Sequence, residues 1–171
     1  EYDDVMNKQR EVVYRRRRTV LRTSDMRSET TRLLSEELEK ILSAHAVSED
    51  GGWDTQSILN DTKNLFPIDE RKMQNRLDAI LRDTSKEQPA KISAAIESFL
   101  GEAKVEYGKK ESDIGAEAWL SIQRAIFLRT LDALWMNHLD EIDYLRQGIG
   151  LRGYGQRDPL VEYKREAFNM F

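Results

Sequence analysis

The chain has 171 residues, 39% of them apolar and 34% charged, with a formal net charge of −4 at pH 7 and no cysteine. These totals exclude disulfides, thiol catalysis and thiolate metal sites, and they give no reason to expect nucleic acid or membrane binding through bulk charge. No apolar run approaches the roughly 18 residues of a membrane span, and the polar start, Glu1 to Arg10, has no signal-peptide character.

In chain order the pattern predicts helices throughout. Residues 1–22 contain no Gly or Pro, and Val5, Val12, Val13, Val20 and Leu21, with Met6 and Tyr14 beside them, give a patchy apolar face. Thr23-Ser24-Asp25 supplies a break with capping chemistry. A second helix over 26–44 repeats Leu33, Leu34, Leu38, Ile41 and Leu42 at helical spacing, and Asp50-Gly51-Gly52 stops it.

Short helices follow. One runs from Thr55 to Phe66 with Asp54 or Thr55 as N-cap, and Pro67 ends it by pushing the preceding residue out of the α region. Another covers 69–83 with Met73, Leu77, Ile80 and Leu81 on one face, and 84–89 is a linker. A helix from Pro89 or Ala90 to about Lys110 carries Ile92, Ala95, Ile96, Phe99, Leu100, Val105 and Tyr107. Gly101 inside it costs about 1 kcal/mol relative to Ala.

Ser112-Asp113 is then the expected cap of the longest element, from Ala116 to about Gln147. Leu128, Leu131, Trp135, His138, Ile142, Leu145 and Ile149 fall at alternating steps of three and four, a seam that wants partner helices. Leu134 and Leu139 widen that seam. Asp158 and Pro159 have N-cap and N1 chemistry. The last helix offers Leu160, Tyr163, Ala167 and Phe168 for packing back. Both ends read as cuts through longer elements, so a piece of a larger protein is expected.

Few motifs carry chemistry. Gly148-Ile149-Gly150-Leu151-Arg152-Gly153 matches G-x-G-x-x-G, but a dinucleotide site needs a strand before it and a helix within it. Here a helix precedes it, so the glycines are expected to permit the turns of a hairpin loop. Arg15-Arg16-Arg17-Arg18 cannot form one tight patch, because consecutive helical residues point about 100° apart. The expectation is a solvated or partner-facing helix. Nucleic acid binding would want more stacking aromatics than Tyr14.

His45 and His138 are the only histidines. They lack metal or catalytic spacing, and His138 on the seam beside Trp135 reads as a core residue. Asp140, Glu141 and Asp143 read as an outer helix face, and no acidic pair has general acid/base spacing. The loop is different. Tyr154 sits between Gly153 and Gly155, flanked by Arg152, Gln156 and Arg157, and a flat amphipathic ring there suits generic contact. Spacing alone leaves open whether Tyr154 folds back onto the hairpin.

The run Thr130-Leu131-Asp132-Ala133-Leu134-Trp135, His138-Leu139, Asp143-Tyr144-Leu145-Arg146-Gln147-Gly148-Ile149, Leu151-Arg152-Gly153-Tyr154, Asp158-Pro159 and Glu162-Tyr163-Lys164-Arg165-Glu166-Ala167-Phe168 resembles the C-terminal helical region of the SecA family. Glu1-Tyr2-Asp3-Asp4-Val5, Gln9-Arg10 and Tyr14 are similar to part of that family's scaffold helix. Its members are ATP-driven motors of bacterial preprotein translocases. Trp53-Asp54 and Pro67-Ile68 echo the helical wing, and the rest of 24–111 is assigned to it by position.

The resemblance implies an all-α, elongated architecture: 1–23 as part of the long scaffold helix, 24–111 as a small wing domain, and 112–171 as a two-helix finger. It implies that Tyr154, with Arg152, Gln156 and Arg157, contacts the translocating polypeptide. The finger would enter the SecY channel mouth and restrain the ATPase. The implied partners are the motor domains, SecY and the preprotein, without nucleic acid, at the cytoplasm and the inner face of the cell membrane. ATP and Mg belong to motor domains outside this sequence. There is no G-x-x-x-x-G-K-[ST] here, so no enzyme activity and no cofactor are expected of this piece. A finger needs stiffness, and an unbroken helix of about 30 residues spans about 45 Å. The rival readings are a generic helical adaptor and a nucleic-acid module using Arg15 to Arg18.

Overall fold

A computed structural model describes residues 2–46, 52–152 and 158–171, except for the side chains at 2 and 150–152. Among the described residues the fold is all-α: α1 (Tyr2–Arg22), α2 (Met26–His45), α3 (Thr55–Lys63), α4 (Glu70–Arg82), α5 (Gln88–Ile114), α6 (Ala116–Arg152) and α7 (Pro159–Met170). The chain divides into two compact units, one made of 1–24 with 120–171 and the other of 25–119.

In the unit 25–119, aspartates start three helices. Asp25, Asp54 and Asp69 accept from the backbone N–H of Ser28, Ser57 and Lys72, satisfying donors that the first turn leaves open. The Ser28 and Ser57 hydroxyls also bond Asp25 and Asp54, and these bonds, with those from the backbone, hold both carboxyls below their ordinary pKa. Leu38 and Leu42, Ile58 and Leu59, Met73 and Leu77, and Ala95 and Phe99 then meet in one core. One turn beyond Phe99, Glu102 is 7% exposed. Its carboxylate lies 2.6 Å from Lys72 Nζ and 3.8 Å from an Arg76 guanidinium nitrogen, so a nearly buried charge has two partners.

Several boundaries differ from the sequence expectation. α3 ends at Lys63, where Asn64, Leu65 and Phe66 N–H groups bond back to Asp61 and Thr62 in a tightened last turn. Ser112 and Asp113 cap nothing: α5 runs through them to Ile114. The break is Gly115, with φ of 90°, whose N–H bonds the Glu111 carbonyl. A left-handed residue stops a helix more firmly than side-chain caps, and glycine adopts that conformation without steric cost.

α6 does not stop near Gln147 either; it continues through Gly148 and Gly150 to Arg152. Ile149, 3% exposed, packs with Tyr163 and Ala167 in the core of its unit. Burying that side chain, worth roughly 1.5–3 kcal/mol, offsets much of the cost of two helical glycines, about 1 kcal/mol each.

Candidate interaction site on the paired helices

In the unit 1–24 with 120–171, α1 runs antiparallel to α6. The partners step in opposite directions along the two helices: Asp3 with Arg146 at 3.7 Å, Gln9 with His138, Arg17 with Asp132, and Thr23 with Arg124. α7 also runs antiparallel to α6. Its Tyr163 and Ala167 share a cluster with Ile142 and Ile149, and Phe171 reaches back to His138 with ring centroids 5.3 Å apart. The α6 seam therefore has the partner helices its spacing demands. Leu128, Leu131, Trp135, His138, Ile142, Leu145 and Ile149 are all buried or half-buried.

Four sequence expectations are corrected here. Leu134 is 61% exposed and does not widen the seam, Phe168 is 80% exposed, and Val12 and Leu21 are 50% and 53% exposed. In each helix the inward arc is filled by neighbours on the seam itself. For α1 these are Met6, Gln9, Val13 and Val20, and residues a single position away rotate outward by about 100°.

The three helices meet on a polar relay. His138, 7% exposed, lies against Trp135 with ring centroids 5.6 Å apart and planes 29° apart. Its Nε2 is 3.0 Å from Gln9 Oε1, and Gln9 Nε2 donates to the Ala167 carbonyl at 2.8 Å. Because the amide oxygen can only accept, His138 must donate from Nε2. Burial lowers the His138 pKa, while the Glu141 carboxylate pulls the other way. This is the expected core histidine, and it orders α1, α6 and α7 rather than doing chemistry. Sequence reading missed Gln9. The available signal was a polar residue at the inward step between Met6 and Val13.

The second histidine, His45, pairs with Asp61 at 2.8 Å in the other unit. Asp140, Glu141 and Asp143 are exposed on α6, as expected. Tyr154, Gln156, Arg157 and the Arg152 side chain lie outside the described residues, and Arg152 is present only as the last backbone position of α6. Among the described residues no group of His, Cys, Asp or Glu is placed to hold a metal ion, and no helix is long and apolar enough to cross a membrane.

The fold and this site define an all-α helical module in which ordered polar contacts hold α1, α6 and α7 together. Over residues 1–171 the chain matches the family model described as the SecA Wing and Scaffold domain. It is 36% identical over 180 residues to a protein translocase subunit SecA of Tropheryma whipplei, covering 99% of this chain and 19% of that protein. To those of Clavibacter sepedonicus and Heliobacterium modesticaldum it is 35% and 38% identical, covering 99% and 100% of this chain and 18% and 19% of theirs. The chain belongs to the SecA family and spans under a fifth of the length of these relatives.

Proposed function

We propose that this chain serves as the scaffold, wing and two-helix finger of a preprotein translocase motor, with 1–23 in the scaffold helix, 24–111 the wing and 112–171 the finger. The single observation that carries this reading is the antiparallel α6–α7 pair, braced against α1 and leading into Arg152, Tyr154, Gln156 and Arg157. A stiff helical pair is suited to presenting a loop at a distance. Tyrosine between glycines offers a flat, amphipathic contact that tolerates any passing sequence.

On this reading the loop touches the translocating polypeptide at the mouth of the SecY channel. The module restrains ATP hydrolysis by motor domains elsewhere in the full-length protein, and it works from the cytoplasm and the inner face of the cell membrane. The test is Tyr154→Gly in the full-length protein, assayed for export and for ATPase activity without substrate. Export collapses while basal hydrolysis persists. Normal export in Tyr154→Gly removes the assignment of the loop and leaves a helical adaptor.

A further inference from the structure

Seven of the 27 basic residues fall within residues 8–22, against the single acid Glu11, in a chain of net charge −4. The helix sorts the run by direction. Arg17 turns inward to Asp132, and Arg16 lies over the Phe127 ring at 5.7 Å from its centroid. Arg15, Arg18 and Arg22 are exposed, and no carboxylate among the described residues pairs with them.

These three recur at i, i+3 and i+7, so they form one stripe rising about 4.5 and 6 Å between successive side chains. Glu11, also exposed, stands on the same stripe one turn before Arg15. Along the flank, Tyr14 and Leu21, seven residues apart and 51% and 53% exposed, form an apolar edge. We propose that this outward face of α1 docks an acidic amphipathic helix of another protein.

Three features select that occupant. Carboxylates on a partner helix repeat with the same rises as the arginines, so three guanidinium–carboxylate pairs form in one register. The order acid, base, base, base favours an occupant of opposite order, and Glu11 repels the uniform charge of a phosphate backbone. The Tyr14–Leu21 edge gives an amphipathic helix apolar area to cover, whereas a nucleic acid would use stacking platforms, of which Tyr14 is the only one on this face among the described residues.

The test uses the full chain and a labelled helical peptide with Glu at i, i+4 and i+7, Lys at i+11 and Leu along one flank, read by fluorescence anisotropy. The expected result is binding about tenfold tighter than to a peptide of the same composition with its charges reordered. Arg18→Glu should weaken binding by about tenfold, which corresponds to about 1.4 kcal/mol. Lys110→Glu, the same charge change outside the stripe, should leave binding unchanged. A peptide with Lys in place of the middle Glu should restore binding to Arg18→Glu, and circular dichroism verifies that both variants fold. Equal affinity for the ordered and reordered peptides overturns the proposal. So does preferential binding of a single-stranded RNA oligomer or of phosphatidylglycerol vesicles. Neither result bears on Tyr154 and export.

Discussion

Gln9 on α1 and His138 on α6 face each other across 3.0 Å in the interior of their unit, and the same amide reaches the Ala167 carbonyl of α7 at 2.8 Å. One side chain of α1 therefore reaches both α6 and α7, 129 and 158 residues further along the chain. Gln9 is only 6% exposed, so water cannot readily replace it. Gln9→Leu keeps the volume and leaves the imidazole N–H without its acceptor. The expected loss is about 1–3 kcal/mol, the desolvation penalty of a buried unsatisfied group. Urea unfolding followed by Trp135 fluorescence, with Trp53 and Trp119 replaced by Phe, measures it. An unchanged midpoint would show that the relay contributes nothing to stability.

His138 makes this unit sensitive to acid. Burial depresses its pKa in the fold, with Glu141 opposing. As pH falls below the ordinary histidine value of 6.5, the unfolded chain takes up the proton first. Stability is therefore complete above that value and declines on acidification until the depressed folded pKa is passed. His138→Gln retains a donor without the titration. Unfolding midpoints between pH 7.5 and 5 should fall more steeply for the natural chain than for this variant, and parallel slopes would contradict the assignment.

Two helix glycines should respond in opposite directions to alanine. Gly101 is exposed inside α5, and an added Cβ meets nothing within 4 Å. Gly101→Ala should stabilise by about 0.5–1 kcal/mol through the chain entropy lost on folding. Gly115 has equal space but a φ of 90°. Gly115→Ala should destabilise by about 1–2 kcal/mol, the cost of placing a Cβ in the left-handed region. Thermal unfolding monitored by circular dichroism compares the two, and shifts of the same sign would refute the argument.

In the other unit, Phe99 is fully buried in one core with Leu38 and Leu42 of α2, Ile58 of α3, and Met73 and Leu77 of α4. Phe99→Ala should cost about 3–5 kcal/mol, since the lost transfer energy adds to the cavity left behind. Glu102→Gln, one turn away, should cost less. It removes the charge facing Lys72 and Arg76, whose side chains are 44% and 41% exposed and so can hydrate. Paired urea titrations of the two variants give the order, and a larger effect at Glu102 would invert it.

Local chemistry made most helices legible. Asp25, Asp54, Asp69 and Asp158 each mark a start, because a cap needs only its own next turn. The α6 seam was readable because residues spaced three and four apart share a face whatever packs there. His138 was identifiable as core from its place on that seam.

What the sequence determined alone was therefore the helical class, the caps at Asp25 and Asp158 and the seam of α6. Tertiary structure decided the rest. Whether Gly148 and Gly150 bend or continue the helix depended on Ile149 finding Tyr163 and Ala167, and which arginines turn inward depended on Asp132 and Phe127. The role of Gln9 depended on His138 and Ala167, 129 and 158 residues away. Helical periodicity is a property of the neighbouring turn, whereas a buried polar contact exists only once distant segments have excluded water from it.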